Sequence, residues 1–498
     1  MAEAKDRVAR IRELKTLLKW LRSEELKLES ELFALEREEA EEQTVEDKTE
    51  AEEQGVSDKT VAEEQGVSDK TVAEEQAASD KTEAEDHAIN DKAAKVNTTD
   101  GDNAKDQLTN DEIRRFSRQL LMPEIGVSGQ LQLRNSRVLI VGTGGLGSPC
   151  ALYLAAMGVG TLGLVDHDSV DASNLHRQII HTAEAAAHGT SKVVSARVAL
   201  ARLSPQCKVR AHDVLLDSTN ALDIVRGYDV VVDASDNAAT RYLVNDASVL
   251  AGVPLVSGSA VRLDGQLTVY NYNGGPCYRC LFPVPPPPDA MASCGEAGVL
   301  GVVPGVIGCL QAMETVKVLT GRKRDEPPSL LLFSYKSHPP FRSVRLRPRV
   351  ATCAVCGDAP TVTELIDYPA FCGAGPNDDA PSWRIVEESQ RVSCRELNSA
   401  LRSPCLLLDV RDEVQFAICS LPGAVNIPMM QFDARRAELE HTLAELNGAP
   451  VYAVCRRGNL SQLAVQYIRE QLGYDACYDV ARGLIGWQDE VDSDFPSY

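Results

Sequence analysis

One cysteine stands in a loop whose residue types suit sulfur chemistry. Cys455 follows the apolar run Val451 to Val454, is followed by Arg-Arg-Gly-Asn-Leu, and precedes a helix pattern that begins near Ser461. Backbone N–H groups of such a loop point at the sulfur, and the helix dipole together with Arg456 stabilises negative charge there. We therefore expect a lowered thiol pKa and a site that holds a sulfur or phosphate anion.

The residue six positions after Cys455 separates two kinds of chemistry on such a loop. A phosphatase of the Cys-x5-Arg type needs an arginine there to hold its phosphate, and position 461 is serine. The sequence therefore favours sulfur transfer over hydrolysis of a phosphate ester. An inactive module of similar fold is disfavoured because the cysteine is present.

A second group of motifs suits a nucleotide. The glycine cluster Gly142 to Gly147 follows the strand pattern Val138 to Val141 and opens a helix pattern, which brings backbone N–H groups close to a phosphate chain. Asp166 closes the next predicted strand, where a carboxylate can hold ribose hydroxyls. These features fit an NAD enzyme and an ATP enzyme equally. Asn174 and Arg177 favour nucleotidyl transfer, because a triphosphate needs cations near it.

At these residues the sequence resembles the ubiquitin-activating-enzyme superfamily, specifically its MoeB/ThiF type. The resemblance also rests on Arg115-Phe-Ser-Arg118-Gln-Leu before the first strand and on Ser235-Asp236-Asn237 after the fourth. It implies use of ATP and Mg²⁺ and these ATP-binding residues: Gly145, Asp166, Ser173, Asn174, Leu175, His176, Arg177, Lys192, Asp236 and Asn237.

The same resemblance implies catalytic roles for two of these motifs. It assigns Asp236 to Mg²⁺ or to the phosphate region that is attacked, and it assigns Arg118 to the site of a neighbouring subunit, which implies a homodimer. From the residues alone, two simpler interpretations stay open. Asp236-Asn237 can be a turn at a strand end, and Arg118 can form a local salt bridge on its helix.

Four cysteines have the spacing of a metal site. Cys277-x2-Cys280 and Cys353-x2-Cys356 each place two thiolates on one side of an ion. The interval between the pairs is longer than in zinc ribbons, but in the resembling family the two loops meet in space. Four thiolates without an open position predict one structural Zn²⁺ per chain.

Another cysteine, Cys294, lies in the Gly-rich segment after the proline run Pro283 to Pro288. In the resembling family a cysteine at this place belongs to a crossover loop over the adenylate. The resemblance implies a catalytic role, as a thioester or a disulfide-linked intermediate with a carrier protein. A loop thiol without a catalytic role stays open.

The C-terminal part resembles the rhodanese domain. The motifs are Leu406-Leu-Leu-Asp-Val-Arg411, Gly423-Ala-Val-Asn-Ile-Pro428, the Cys455 loop and Gly483-Leu-Ile-Gly-Trp487. Together with the upstream motifs, the chain resembles the eukaryotic adenylyltransferase and sulfurtransferase family that serves molybdenum cofactor synthesis and the ubiquitin-related modifier.

That resemblance implies a reaction in two steps. ATP adenylates the C-terminal glycine of a ubiquitin-like sulfur carrier, either the molybdopterin synthase small subunit or the ubiquitin-related modifier, and a Cys455 persulfide then yields a thiocarboxylate. The products would serve molybdopterin synthesis and 2-thiolation of the tRNA wobble uridine. A cysteine desulfurase is the expected class of sulfur donor. Two alternatives stay open: a conjugating-type activating enzyme that passes on a thioester, and a non-enzymatic scaffold.

Composition sets the domain organisation. The 498 residues exceed one hydrophobic core, and the charge of −22 is concentrated at residues 41–90, which hold seventeen acidic residues against four lysines. We predict an N-terminal helix with a possible coiled-coil seam at 1–40, a disordered spacer with an eleven-residue acidic repeat at 41–107, a Rossmann-like α/β adenylyltransferase domain at 108–372, a linker at 373–389 and a small α/β rhodanese domain at 390–498.

The same numbers bear on location and partners. Fourteen cysteines without a signal-peptide pattern predict a reducing compartment, and the acidic balance disfavours direct binding to nucleic acid. The most apolar stretch, Gly298 to Leu310, is shorter than the roughly twenty residues of a membrane span. We therefore expect a cytosolic protein without a membrane anchor.

Overall fold

The computed structural model describes residues 107–286, 297–322, 326–373, 384–496 and 498. The helix predicted at 1–40, the acidic spacer up to residue 106, the Cys294 loop and most of the predicted linker lie outside these residues. The described chain forms two sheets, one in each of the two regions where an α/β domain was predicted.

The first sheet has eight strands in the order β3-β2-β1-β4-β5-β6-β7-β8. They are β1 Arg137–Val141, β2 Thr161–Val165, β3 Lys208–His212, β4 Val230–Asp233, β5 Leu255–Val261, β6 Asp264–Tyr270, β7 Ser329–Ser334 and β8 Phe341–Arg345. Strands β1 to β5 are parallel, whereas β6, β7 and β8 continue the sheet with antiparallel pairing.

The parallel, doubly wound part of this sheet confirms the predicted fold class. Along β1, Val138 and Ile140 pack into one hydrophobic cluster, while Leu139 and Val141 pack into another. Successive side chains of a strand point to opposite faces, so a fully apolar strand requires helices on both. The antiparallel continuation was not predicted. It follows from the short connection between β5 and β6, which can join only antiparallel neighbours.

Helices cover both faces of the first sheet. They are α1 Asn110–Leu120, α2 Gly126–Asn135, α3 Gly147–Ala156, α4 Ala183–Ala187, α5 Lys192–Leu203, α6 Ala221–Arg226, α7 Ala238–Ala251, α8 Tyr278–Leu281, α9 Val302–Leu319 and α10 Tyr368–Cys372. Helices α3, α5 and α9 contribute to the first cluster, and α6, α7 and α10 contribute to the second.

The apolar segment near residue 300 is longer than its sequence indicated. Helix α9 runs for 18 residues, and within the described residues it is the helix with the length and composition of a membrane span. More than half of it is buried, with Ile307 and Ala312 in the core against β5 and β6. Its apolar character is therefore explained by packing inside the protein.

The second sheet has five parallel strands in the order β11-β10-β12-β13-β9. These are β9 Arg391–Val392, β10 Leu406–Asp409, β11 Val425–Asn426, β12 Val451–Val454 and β13 Cys477–Val480; the helices are α11 Cys394–Ala400, α12 Glu413–Ile418, α13 Arg436–Glu445, α14 Leu460–Leu472 and α15 Gly483–Glu490. Leu406 and Leu408 face one cluster and Leu407 the other, so this sheet is also covered on both sides.

Candidate active site

A cleft of about 640 Å³ opens at the carboxyl ends of the parallel strands in the first sheet. Clefts at this edge are the usual ligand sites of doubly wound sheets. Six of the predicted nucleotide-binding residues line it: Gly145, Asp166, Arg177, Lys192, Asp236 and Asn237. Residues separated by more than ninety positions in the chain are thus brought around one space.

The glycine cluster forms a tight turn between β1 and α3. Gly142 has φ +93°, a conformation that favours glycine. A Cβ atom at Gly147 would lie 1.9 Å from the carbonyl oxygen of Gly142, so no side chain fits there. The turn therefore exposes backbone N–H groups at the start of α3, where an anion is stabilised.

The Asp166 carboxylate is fixed at the end of β2. Its Oδ2 accepts hydrogen bonds from the N–H of Thr143 at 2.8 Å and from the Thr143 hydroxyl at 3.0 Å, and its Oδ1 accepts from the N–H of Asp168 at 3.0 Å. The carboxylate is thereby tied to the glycine turn. A ribose bound beside that turn would meet an acceptor whose position is already set.

Lys192 forms an ion pair that its sequence motif did not reveal. Its Nζ lies 2.8 Å from Oδ2 of Asp168, and the lysine side chain is buried while that of Asp168 is half exposed. A buried cation with a replaceable, solvent-facing partner suits a ligand that brings its own negative charge. A bound triphosphate would compete with Asp168 for Lys192.

The segment before Arg177 is a 3₁₀ turn, Ala172–Asn174, capped by Asp171. The hydroxyl of Ser173 donates to Asp171 at 2.6 Å and its N–H donates at 2.7 Å, and these hydrogen bonds lower the pKa of the Asp171 carboxyl. Four predicted ATP contacts are not among the described residues that line the cleft: Ser173, Asn174, Leu175 and His176. Their ATP contacts stay predictions; here they shape the turn that places Arg177.

Asp236 and Asn237 follow the end of β4 and have different structural roles. Asp236 is exposed at the cleft wall, whereas Oδ1 of Asn237 accepts from the N–H of Thr240 at 2.9 Å and caps α7. Arg241, one turn into that helix, also lines the cleft and donates to the Ser235 carbonyl at 3.0 Å. Sequence reasoning missed Arg241, which lacks a motif of its own.

Arg118 lies in the last turn of α1 and is exposed. Its Nη1 donates to the hydroxyl of Ser117 at 3.1 Å, and Arg118 is not among the described residues that line the cleft of its own subunit. The local salt bridge considered as an alternative does not occur with the described acidic residues. Its contribution to a neighbouring subunit stays a prediction.

The four cysteines of the two Cys-x2-Cys motifs meet, as the family resemblance implied. The Sγ atoms of Cys277 and Cys353 are 3.6 Å apart, those of Cys280 and Cys356 are 3.4 Å apart, and those of Cys277 and Cys280 are 3.8 Å apart. Four sulfurs about 2.3 Å from one tetrahedral ion would lie about 3.8 Å from each other. Burial raises the pKa of the Cys356 thiol to about 12, so a cation would favour the thiolate form of this residue. The cluster can therefore hold a metal ion.

The first Cys-x2-Cys motif is also joined to the nucleotide cleft. Arg279, between its two cysteines, is buried, donates to Asp246 at 2.7 Å and stacks on the ring of Phe371 at 4.5 Å. Asp246 lies on α7, the helix whose first turn lines the cleft. The metal-binding cluster therefore supports the helix that carries Asn237 and Arg241.

Cys455 lies at the carboxyl end of β12 and is 2% exposed. Its Sγ accepts a hydrogen bond from the N–H of Gly458 at 3.2 Å and lies 3.2 Å from the hydroxyl oxygen of Ser461. Gly458 has φ +80°, which turns its N–H towards the sulfur. The predicted loop around the sulfur is thus formed by backbone and by the first turn of α14.

Helix α15 holds this loop from the other side. The N–H of Leu484 donates to the Cys455 carbonyl at 2.9 Å, and that of Ile485 donates to the Arg456 carbonyl at 3.1 Å. A Cβ atom at Gly483 would lie 2.1 Å from the Cys455 carbonyl oxygen. Because these carbonyls point to α15, the loop keeps its N–H groups free for the sulfur. The Gly-Leu-Ile-Gly-Trp motif therefore has a direct structural role at the cysteine.

An aromatic side chain that sequence reasoning missed covers the loop arginine. The Arg456 guanidinium lies 4.8 Å from the ring centre of Tyr498, whose hydroxyl accepts from Nη1 of Arg411 at 2.7 Å. Arg411 is buried and paired with Asp409 at the end of β10. No local motif marked Tyr498, because its partners lie more than forty residues away.

Comparison with known proteins finds a matching family for each of the two regions. The ThiF family matches residues 116–355, and the rhodanese-like domain matches residues 393–490. Adenylyltransferase and sulfurtransferase MOCS3 of Drosophila grimshawi is 50% identical over 395 residues, which cover 79% of this chain and 87% of that protein. Proteins of the same name from Aedes aegypti and Anopheles gambiae are 48% and 49% identical, each over 80% of this chain and 91% of the relative.

The chain belongs to the MOCS3 family. As a MOCS3 family member it is an adenylyltransferase and sulfurtransferase that uses ATP and activates ubiquitin-like sulfur carriers. The predicted fold class and the two predicted activities are confirmed. In this MOCS3-type chain the ThiF match contains the cleft and the metal-site cysteines up to Val355, with Cys356 directly after it, and the rhodanese match contains Cys455.

Proposed function

We propose that this chain adenylates the C-terminal glycine carboxylate of its carrier and then replaces the adenylate with sulfur carried on Cys455. The observation that supports this proposal most directly is the combination in one chain of a cation-lined nucleotide cleft and a buried loop cysteine. The cleft can make a carbonyl electrophilic, and the cysteine can supply the sulfur nucleophile.

In the first step, a carboxylate oxygen of the carrier attacks the α-phosphorus of ATP, and the bond to the leaving pyrophosphate breaks. Asp166 orients the ribose, while Lys192 and Arg177 stabilise the negative charge that develops on the phosphates. Asp236 would hold Mg²⁺, which supplies further positive charge to the triphosphate. Arg118 of a second copy would complete the site in a homodimer.

The four-cysteine cluster fits one structural Zn²⁺. All four donors are sulfur, their separations suit a tetrahedral ion, and no described fifth ligand enters the cluster. The ion would take no part in the reaction. Its contribution is to fold the two loops together and to fix Arg279 against α7.

In the second step, the terminal sulfur of a Cys455 persulfide attacks the carbonyl carbon of the acyl-adenylate and AMP leaves. The product is an acyl disulfide between the carrier and Cys455. A cellular thiolate then cleaves its S–S bond and releases the carrier thiocarboxylate, and Cys294 would hold the carrier between the two steps as a thioester or a disulfide-linked intermediate. The cleaving thiol becomes one half of a new disulfide, so a cellular thiol must reduce it afterwards.

The remaining assignments concern the cellular setting. The molybdopterin synthase small subunit and the ubiquitin-related modifier are the proposed carriers, and a cysteine desulfurase is the proposed sulfur donor. The thiocarboxylates would serve molybdopterin synthesis and wobble-uridine thiolation without direct contact between this chain and RNA. A cytosolic location is proposed from the fourteen cysteines.

The test is a thiocarboxylation assay with the full-length chain, ATP, Mg²⁺, each candidate carrier and a persulfide donor. Mass spectrometry of the carrier should show a thiocarboxylate with the parent chain and none with Cys455→Ala, while carrier-dependent pyrophosphate exchange continues. Cys405→Ala, which removes a half-buried thiol of the same domain, is the matched control. Carrier transfer that survives Cys455→Ala would identify a conjugating-type activating enzyme instead.

A further inference from the structure

A buried hydroxyl lies directly behind the Cys455 sulfur. Ser461, the second residue of α14, is fully buried, and its Oγ is 3.2 Å from Sγ with either atom able to donate. The N–H of Gly458 occupies another side of the sulfur at the same distance. Ser461 can therefore receive the thiol proton or donate to a thiolate, according to the state of Cys455.

A buried carboxylate stands next to Ser461. Asp479 on β13 is 0% exposed, and its Oδ2 accepts a hydrogen bond from Nε of Arg391 at 2.7 Å. Its Oδ1 is buried and accepts no hydrogen bond from the residues that the structure describes. Burial raises the pKa of Asp479, and this effect outweighs the opposing effects of the nearby Ser461 hydroxyl and of Arg391. The carboxylate thus has an oxygen available for a proton.

A purely structural role explains only half of this arrangement. Arg391 also donates to the carbonyl of Gly458 at 3.4 Å, and Gln462 donates to the same carbonyl at 2.6 Å. The ion pair therefore helps to aim the Gly458 N–H at the sulfur. That task uses Oδ2 of Asp479 alone and leaves a buried, unpaired oxygen, which costs free energy unless it has another use.

We propose that Asp479 accepts the thiol proton of Cys455 through Ser461 when the cysteine is loaded with sulfur. This inference rests on the proposed function, in which Cys455 carries a persulfide. The Cys455 proton moves to Ser461 Oγ while the Ser461 hydroxyl proton moves to Oδ1 of Asp479. Asp479 is then a positioning residue for the proton, and Ser461 is the group in contact with the sulfur.

The step balances without an oxidant. The Cys455 thiolate attacks the outer sulfur of a persulfide on the donor protein, so that one S–S bond forms on Cys455 as the S–S bond of the donor breaks. The donor leaves as a thiolate and takes a proton from water. Asp479 keeps the proton from Cys455 and returns it through Ser461 when Cys455 is released as a thiol.

The ionisable groups packed around Asp479 are one arginine and two thiols. Arg391 from β9 is its ion-pair partner, and Cys394 from α11 and Cys477 from β13 are the nearby thiols. Burial raises the pKa of each of these two thiols to about 12. A change in sulfur loading around neutral pH therefore does not come from either of these two thiols.

The test measures single-turnover loading of Cys455 in the full-length chain, with a persulfide-bearing cysteine desulfurase as donor and mass spectrometry as readout. For Asp479→Asn and Ser461→Ala we expect loading about 100-fold slower than the parent at about pH 7, and within about fivefold at about pH 9.5, where hydroxide takes the proton instead. Asp475→Asn, the same change at an exposed carboxylate, should load like the parent at both pH values.

Ser461→Ala leaves the Asp479–Arg391 pair intact, so it keeps the test valid if Asp479→Asn unfolds the domain. Loading by Ser461→Ala within twofold of the parent at about pH 7, or an equal deficit at both pH values, overturns the proton relay. A parent chain that acquires no persulfide on Cys455 instead contradicts the proposed function, and Cys455→Ala provides that reference.

Discussion

The nucleotide cleft and the Cys455 loop differ in how they hold their reactive groups. The cleft is open, and its charged side chains come from strand ends and helix starts spread from the glycine turn to Arg241. The loop encloses a sulfur that is 2% exposed, and it is built from backbone N–H and carbonyl groups of neighbouring residues. Charged side chains dominate the cleft, whereas backbone groups together with the Ser461 hydroxyl surround the sulfur.

The difference follows from what each site must handle. ATP and a protein C-terminus have to enter and leave the cleft, so exposed charges such as Asp236 and a replaceable ion pair such as Lys192–Asp168 are suitable. A persulfide is easily reduced, so a buried site that shields it from thiols in solution is suitable. Changes to the charged side chains of the cleft should therefore lower adenylation without affecting sulfur loading, and changes to the backbone of the loop should lower sulfur loading without affecting adenylation.

The largest effect is expected from Asp236→Ala. Removing this exposed carboxylate at the cleft wall should lower carrier-dependent pyrophosphate exchange by about 100- to 1,000-fold, because the Mg²⁺ that Asp236 would hold no longer stabilises charge at the phosphates. Loading of Cys455 with sulfur should not change. Asp223→Ala, an exposed aspartate outside the cleft lining, is the control. Unchanged exchange would remove Asp236 from the mechanism.

The next effect concerns the metal cluster. Removing the ion with a chelator should lower pyrophosphate exchange about 30-fold, which is equivalent to a barrier about 2 kcal/mol higher. The reason is that α7 is no longer held in position when Arg279 is released from Asp246. Zinc added back should restore exchange. Loading of Cys455 should persist throughout. Equal loss at both sites would show that the metal supports the whole chain and not the cleft.

These expectations show which parts of the molecule were predictable. The glycine turn, Asp166 and the Cys455 loop could be found because each is encoded by a contiguous motif at a strand end. The partners that complete them are distant: Asp168 lies 24 residues from Lys192, and Asp479 lies 24 residues from Cys455. Periodicity and spacing carry no signal for such pairs, since tertiary packing decides which polar groups face each other.

The same reasoning explains the missed antiparallel strands of the first sheet. Strand β8 is exposed throughout and alternates polar and apolar residues, so it lacks the fully apolar pattern that identified β1 and β4, whereas β7 contains the apolar run Leu330 to Phe333, which was not recognised as a strand. One short connection pairs β5 with β6, and another pairs β7 with β8. The missed strands therefore include β6, which contributes Leu267 and Val269 to the core, as well as the exposed edge strand β8.

A change in the backbone near Cys455 should have the opposite effect of the changes in the cleft: sulfur loading should fall and pyrophosphate exchange should continue. In Gly483→Ala the new Cβ atom would lie 2.1 Å from the Cys455 carbonyl, at a residue with φ +57°, so the loop must shift. We expect sulfur loading to fall about tenfold, equivalent to about 1.4 kcal/mol, while pyrophosphate exchange continues. Loading measured by mass spectrometry provides the test.

Its control is Gly473→Ala, because Gly473 has a similar φ of +66° but no heavy atom within 4 Å of an added Cβ. Both variants carry the same left-handed backbone strain. If they load sulfur equally slowly, the effect comes from strain alone, and the contact between Gly483 and the Cys455 loop has no role.

The smallest effect is expected when a side chain that caps a backbone turn beside the cleft is removed. Asp171→Ala removes the hydrogen-bond acceptor for Ser173 and should loosen the turn before Arg177. We expect ATP binding to weaken by about 1 kcal/mol, so that the KM for ATP rises about fivefold while kcat is unchanged. Asp412→Ala, which removes a helix cap in the rhodanese domain, should leave this KM unchanged.

The pH dependence of this cap has a defined sign. Hydrogen bonds from Ser173 lower the pKa of Asp171, so its contribution is present above the ordinary carboxyl range and is lost as the pH falls through that lowered pKa. The ratio of KM values between Asp171→Ala and the parent should therefore be constant from about pH 6 to 8. A ratio that shrinks within this range would show that a group other than Asp171 orders the turn.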